Sequence, residues 1–146
     1  MRTDSRLPRV LHVLLHLAQH EAPLTSDQIG AMLGTNPSLV RRMMAGLRKA
    51  GFVSSTKGHG GGWYLSRQLD EISLADVYKA LGSPPLFAVG PSGDTSACLL
   101  ERAANEITRQ ALDAANTVFQ QKLASTTVAE ITNPYSDIIK SFHSDN

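Results

Sequence analysis

The residue pattern predicts a mainly α-helical chain with one small β-hairpin: three short helices, the hairpin, a fourth short helix, a loop and one long helix. Three observations carry that expectation. Apolar residues recur at helical spacing through the first fifty positions, with start and stop signals between them. A glycine-rich turn then separates two β-prone stretches. Further on, an apolar seam spaced 4-3-4-3-4 runs through residues 100–118. The 146 residues are 42% hydrophobic and 18% charged, enough apolar material for a core and too much for a wholly disordered chain. No apolar run approaches a membrane-spanning length.

The first helix is expected over residues 7–19, where Leu7, Val10, Leu11, Leu14, Leu17 and Ala18 share one side of the wheel. Pro8 falls in its first turn, where proline is tolerated. Ala22-Pro23 breaks it. Thr25 followed by Gln28 reads as a capping box that starts a second helix over 26–33, ended by Gly34. Asn36-Pro37 supplies a cap and a first helical residue for a third helix to Ala50, with Gly51 as its stop. That third helix has two distinct faces: Leu39, Val40, Met43, Leu47 and Ala50 on one, and Ser38, Arg41, Arg42, Ala45, Arg48 and Lys49 on the other.

Residues 52–56 and 63–66 are β-prone around the turn Lys57-Gly58-His59-Gly60-Gly61-Gly62. The glycine run lacks the GxxxxGK[ST] pattern and no helix follows it, which argues against a phosphate loop. Ser73, with Asp76 three residues on, caps a helix over 74–81. Residues 82–95 hold prolines and glycines and read as a linker. The long helix is expected over 97–123, its seam formed by Leu100, Ala104, Ile107, Ala111, Ala114 and Val118. Thr127 and Glu130 form a further capping box. The tail from Pro134 places Tyr135, Ile138, Ile139 and Phe142 on one face of an amphipathic helix, expected to be docked.

Charge is divided along the chain. Residues 1–69 hold nine Lys/Arg against three Asp/Glu, a net of +6, and residues 70–146 hold five against ten, a net of −5. A basic first half is what a polyanion-binding module needs. Three short helices followed by a glycine-tipped hairpin is the order of a winged helix-turn-helix, whose third helix enters the major groove. Arg41 and Arg42 suit bidentate contact with guanine or phosphate. Ser38 can bond a phosphate or a base, and Ala45 permits close approach. On the hairpin, Thr56, Lys57 and His59 flank a tip suited to phosphates or the minor groove.

The stretch LRKAGFVSSTKGHGGGWYL, followed by EISLADVYKAL, resembles the Rrf-two family of bacterial winged-helix transcription regulators, over roughly residues 5–132. The resemblance implies a homodimer built on the long helices, with each wing reading one half of a near-palindromic DNA site. It points to Ser26 and Gln28 in the second helix, Asn36, Ser38, Arg41 and Arg42 in the third, and Lys57 and His59 in the wing. The seam residues become the dimer interface. Cluster-bearing members hold iron–sulfur clusters with three cysteines in and after the linker. Here the chain has one cysteine, Cys98, with Glu101 where those members place a histidine. A cluster needs about four ligands, mostly thiolates. The chain therefore resembles most the cluster-free, YwnA-like branch, and no cofactor is expected.

Cys98, capped by Thr95 or Ser96, is expected in the first turn of the long helix, where the dipole favours a thiolate. It is either a redox-responsive thiol or a buried small hydrophobe. His12, His16 and His20 lie one helical turn apart on the polar face of the first helix, a spacing at which two imidazoles can grip a metal; rings in solvent or against a partner subunit account for them equally well, and no metal ligand is assigned. The resulting organisation is a DNA-binding head over 1–82, a linker over 83–96, and a dimerisation helix with its tail over 97–146. The reading is a cytoplasmic, homodimeric repressor and not an enzyme. A winged-helix protein-interaction module without a DNA target and a metal- or small-ligand sensor are the competing classes.

Overall fold

A computed structural model describes residues 3–93 and 97–144. Six α-helices and one antiparallel hairpin are arranged as α1 Arg6–Gln19, α2 Ser26–Leu33, α3 Pro37–Lys49, β1 Val53–Thr56, β2 Gly62–Leu65, α4 Leu74–Ala80, α5 Leu99–Ala124 and α6 Ser136–Ser144. Short 3₁₀ turns at Leu69–Glu71 and Ala129–Tyr135 lead into α4 and α6. The mainly helical architecture with a two-stranded wing is the one expected.

Local chemistry sets the helix starts. Thr25 Oγ1 accepts from the Gln28 backbone N–H at 3.2 Å, and Gln28 Oε1 accepts from the Thr25 N–H at 2.8 Å. Asn36 Oδ1 accepts from the Leu39 N–H at 2.9 Å. Ser73 and Asp76 exchange the same pair of bonds at 3.0 Å each. Each cap satisfies backbone donors that the first turn leaves orphaned and stabilises its helix by about 1 kcal/mol. Between α2 and α3 the chain turns so tightly that a Cβ on Gly30 would stand 2.7 Å from the Thr35 carbonyl oxygen. Glycine there is what lets the two helices close into a helix-turn-helix.

The apolar stripes of α1, α2 and α3 meet in one core. Val10, Leu14, Ile29, Val40, Met44, Leu47, Val53, Ile72, Val77 and Val128 are almost completely buried in it. Burial of each large side chain stabilises the fold by about 1.5–3 kcal/mol relative to exposure. Val128 lies beyond the long helix. The Leu74 N–H donates to the Thr126 carbonyl and the Val128 N–H to the Ile72 carbonyl, both at 2.9 Å, so the chain after α5 is stitched back to the start of α4. This return fixes the C-terminal end of α5 against the three-helix core.

Several expectations toward the C-terminal half are refined. Helix α5 begins at Leu99, so Cys98 is its N-cap and does not lie in its first turn; the expected caps Thr95 and Ser96 lie outside the described residues. Thr127 makes half a capping box: Glu130 Oε2 accepts from its N–H at 2.6 Å, but the Thr127 hydroxyl also donates to Glu130, at 2.9 Å, and does not accept from the backbone. The tail does form an amphipathic helix, α6, whose apolar face is only partly covered in the single chain: Ile139 is half-buried. Tyr135 is 60% and Ile138 58% exposed, and α6 packs against the preceding 3₁₀ turn. The Phe142 side chain lies outside the described residues.

Candidate nucleic-acid interface

The exposed face of α3 is built as its sequence dictates. Val40, Met43, Met44 and Leu47 are buried, which turns Ser38, Arg41, Arg42, Ala45, Arg48 and Lys49 outward. Arg41 Nη2 reaches Ser38 Oγ at 3.4 Å, and Arg42 has no ion-pair partner among the described residues. Helix α3 carries four cations and no carboxylate, so its outer face is a strip of positive potential suited to a polyanion. Ala45 leaves the middle of the strip flat.

The wing stands beside this helix and is held by Trp63, a link that sequence reasoning missed. Its indole N–H donates to Ser26 Oγ at 3.1 Å. The Arg48 guanidinium lies over the same ring, 5.8 Å from its centroid, within cation–π range. The Trp63 N–H donates to the Leu24 carbonyl at 2.8 Å and the Leu24 N–H to the Trp63 carbonyl at 3.0 Å, so the residues before α2 add a single bridge to the edge of β2. A Cβ on Gly62 would stand 2.7 Å from Leu24; glycine is what admits this contact. One tryptophan thus ties α2, α3 and the wing together. The buried aromatic directly after the glycines was a usable signal, but which partners it meets is a matter of tertiary geometry.

The eight residues expected to face DNA lie along α2, α3 and the wing, with their chemistry partly engaged. Ser26 accepts from Trp63 and keeps its hydroxyl proton to donate. Gln28 and Asn36 use their side-chain carbonyls as caps and keep their amide N–H groups, donors that phosphate oxygens accept. Ser38, Arg41 and Arg42 are exposed on α3. Lys57 and His59 are exposed at the wing tip, on either side of Gly58. Register in the wing is Val53↔Leu65 through Thr56↔Gly62, which leaves residues 57–61 as the tip.

All six seam residues of α5 face solvent in the single chain. Leu100 is 82%, Ile107 63% and Val118 67% exposed. At the start of this helix Cys98 is exposed in the single chain. Backbone N–H groups of Glu101, and secondarily Leu100, hold its thiol below the usual cysteine range, as hydrogen bonds to the charged form do. Nearby, Asn105 is buried by the linker: its Oδ1 accepts from the Ser92 N–H at 2.9 Å and its Nδ2 donates to the Ser92 carbonyl at 3.0 Å. Glu101 Oε1 accepts from Ser92 Oγ at 2.8 Å, so the carboxylate that stands in place of a histidine fastens the linker. No group of three or more His, Cys, Asp or Glu side chains is placed to hold a metal ion among the described residues. With one cysteine in the chain, this donor set does not fit an iron–sulfur cluster.

Helix-turn-helix, basic outer helix and locked wing define a winged-helix DNA-binding module of the transcription-regulator class. The model of the Rrf2 family, described as iron-dependent transcriptional regulators, matches residues 3–134, and the chain belongs to that family. The HTH-type transcriptional regulator IscR of Photorhabdus laumondii is 33% identical over 100 residues, spanning 67% of this chain and 56% of that one; this chain thus covers little more than half of that relative. YwnA of Bacillus subtilis is 28% identical over 131 residues, spanning 89% of this chain and 96% of that one. The solved structure of IscR from T. potens shares the fold, with a TM-score of 0.67 at 24% identity over 92% of this chain and 88% of the other. No helix of the described residues is long and apolar enough to cross a membrane.

Proposed function

We propose that this chain is a cytoplasmic, homodimeric, sequence-specific repressor that works without an iron–sulfur cluster and responds to thiol oxidation through Cys98. The observation that carries the reading is the exposed Arg41–Arg42 face of α3, held in fixed relation to the wing by Trp63. In this reading the head, residues 1–82, reads one half of a near-palindromic operator. Arg41 and Arg42 contact base edges, while Ser26, Gln28, Asn36 and Ser38 grip phosphates and Lys57 and His59 extend the contact from the wing. Residues 83–96 join the head to residues 97–146, where Leu100, Ala104, Ile107, Ala111, Ala114 and Val118 pair with the same seam of a second copy. Three of the six are alanines, which lets two backbones approach closely.

Cys98 stands between linker and seam. Its thiolate attacks one oxygen of hydrogen peroxide, hydroxide leaves, and the sulfur ends as a sulfenic acid. The added oxygen enters at the N-cap of α5, three residues before Glu101, whose carboxylate holds Ser92 of the linker; a shift there alters the spacing of two heads that must match half-sites about one DNA turn apart. The test is a salt-dependent gel shift on DNA from upstream of the chain's own gene, with and without peroxide, for wild type and Cys98→Ser. The reading expects salt-sensitive, site-specific binding that peroxide changes in wild type only. Unchanged wild-type affinity, or an equal change in Cys98→Ser, removes the thiol response. Absence of any specific shift favours a protein-interaction module.

A further inference from the structure

The outer face of α1 carries three histidines at one-turn intervals, and the proposed DNA surface and the seam account for none of them. The helix sets the first two against each other: His12 Nε2 and His16 Nε2 are 2.9 Å apart, with ring centroids 4.6 Å apart and planes inclined at 53°. Imidazole nitrogens this close either share one proton as donor and acceptor or turn both lone pairs toward a common electrophile. His16 is half-buried, and its Nδ1 is enclosed without a hydrogen-bond partner. Its Nε2 is thus the ring nitrogen that reaches His12 and the solvent beyond it. Burial also favours the neutral ring, the form that ligates.

We propose that His12 and His16 form a two-imidazole site for a first-row divalent cation of the Ni(II) or Cu(II) class, with water completing the coordination shell. The spacing selects the ion. Metal–imidazole bonds are about 2.0–2.1 Å long, so nitrogens at this separation subtend about 90° at the ion, whereas tetrahedral ligation asks for about 3.4 Å between them. A right angle is the cis angle of square-planar and octahedral ions. The intrinsic affinity order, with Cu(II) above Ni(II) and Ni(II) matched against Zn(II) by geometry, points the same way. His20 stays outside the site: its ring centroid is 6.2 Å from that of His16, and its Nδ1 lies 2.8 Å from the His16 carbonyl oxygen. No third protein donor joins the pair among the described residues, so the ion exchanges with solution.

The experiment is calorimetric titration of the tag-free full chain with nickel chloride and, separately, zinc chloride, together with the electron paramagnetic resonance spectrum of the chain loaded with one equivalent of Cu(II). The expected result is one Ni(II) per chain, bound more tightly than Zn(II), and a Cu(II) spectrum with nitrogen hyperfine splitting. Binding disappears in His12→Ala, a change at an exposed position, and in His16→Gln, whose fold is checked by circular dichroism. It persists in His20→Ala and Cys98→Ser. No Ni(II) binding, tighter Zn(II) binding, survival in both His12→Ala and His16→Gln, or loss in Cys98→Ser overturns the proposal.

Discussion

Arg41 and Arg42 are adjacent in sequence yet both face outward, because α3 buries Val40 and Met43 on either side of them. If they are bidentate to guanine, Arg41→Ala or Arg42→Ala weakens specific binding by about 1–3 kcal/mol and relaxes the preference at one base pair. Anisotropy titrations against matched and single-mismatch duplexes measure both effects. Lys57→Ala behaves differently: it weakens binding to all sequences and reduces the slope of log affinity against log salt by about one. The polar residues were legible as candidates because their types match DNA donors. Their internal bonds were not, since Ser26 meets Trp63 across 37 residues of chain. His16 carries a separate prediction. Burial, and then the neighbouring His12 and His20, lower its pKa from 6.5, so the unfolded chain binds the proton more readily than the folded one. Its contribution to stability is intact above the unfolded value and is lost as pH falls from there through the lower folded value. Denaturant titrations from about pH 8 down to about pH 5 detect this as a falling midpoint, flattened in His16→Gln; an equal fall in the variant assigns the effect elsewhere.

Elements were legible where a local signal sets them. The pairs Thr25–Gln28, Asn36–Pro37 and Ser73–Asp76 mark helix starts within one residue, since a capping bond is made between neighbours. Contacts between distant segments were not legible: the Leu24–Trp63 bridge, the return of Val128 to the core, and the linker fastened at Asn105 each depend on residues brought together only by the fold. The tail shows the same limit from the other side, because an amphipathic pattern states that a face is apolar and not what covers it. For the wing, Trp63→Phe keeps the buried ring and removes the indole N–H to Ser26. The expected cost is about 0.5–1.5 kcal/mol of stability, with a loss of operator affinity although α3 is unaltered; full affinity in this variant contradicts a wing held by Trp63. For α5, Ile107→Asp places an unpaired charge at the centre of the proposed seam, at several kcal/mol in the dimer. In a single chain the same position is exposed and tolerates it. Light scattering is expected to give a monomer with unchanged helical content, and a dimer that persists rejects the seam.

At the scale of the molecule, the division of charge and the division of exposed surface agree. The basic half of the sequence forms the helix-turn-helix and wing, with cations on the outer face of α3 and at the wing tip. The acidic half supplies a long helix whose apolar seam is uncovered in one chain. The proposed pairing of two such heads on one DNA site draws on both properties. The central claim is that the α3 surface reads a particular DNA sequence. It is tested most directly by incubating the purified chain with fragmented DNA of its own genome, recovering and sequencing the bound fragments, and repeating the selection with the Arg41→Ala/Arg42→Ala double variant. The account predicts a near-palindromic motif with half-sites about one helical turn apart, enriched by wild type and lost in the double variant. Fragments recovered without any shared motif, or the same motif recovered by both proteins, would contradict it.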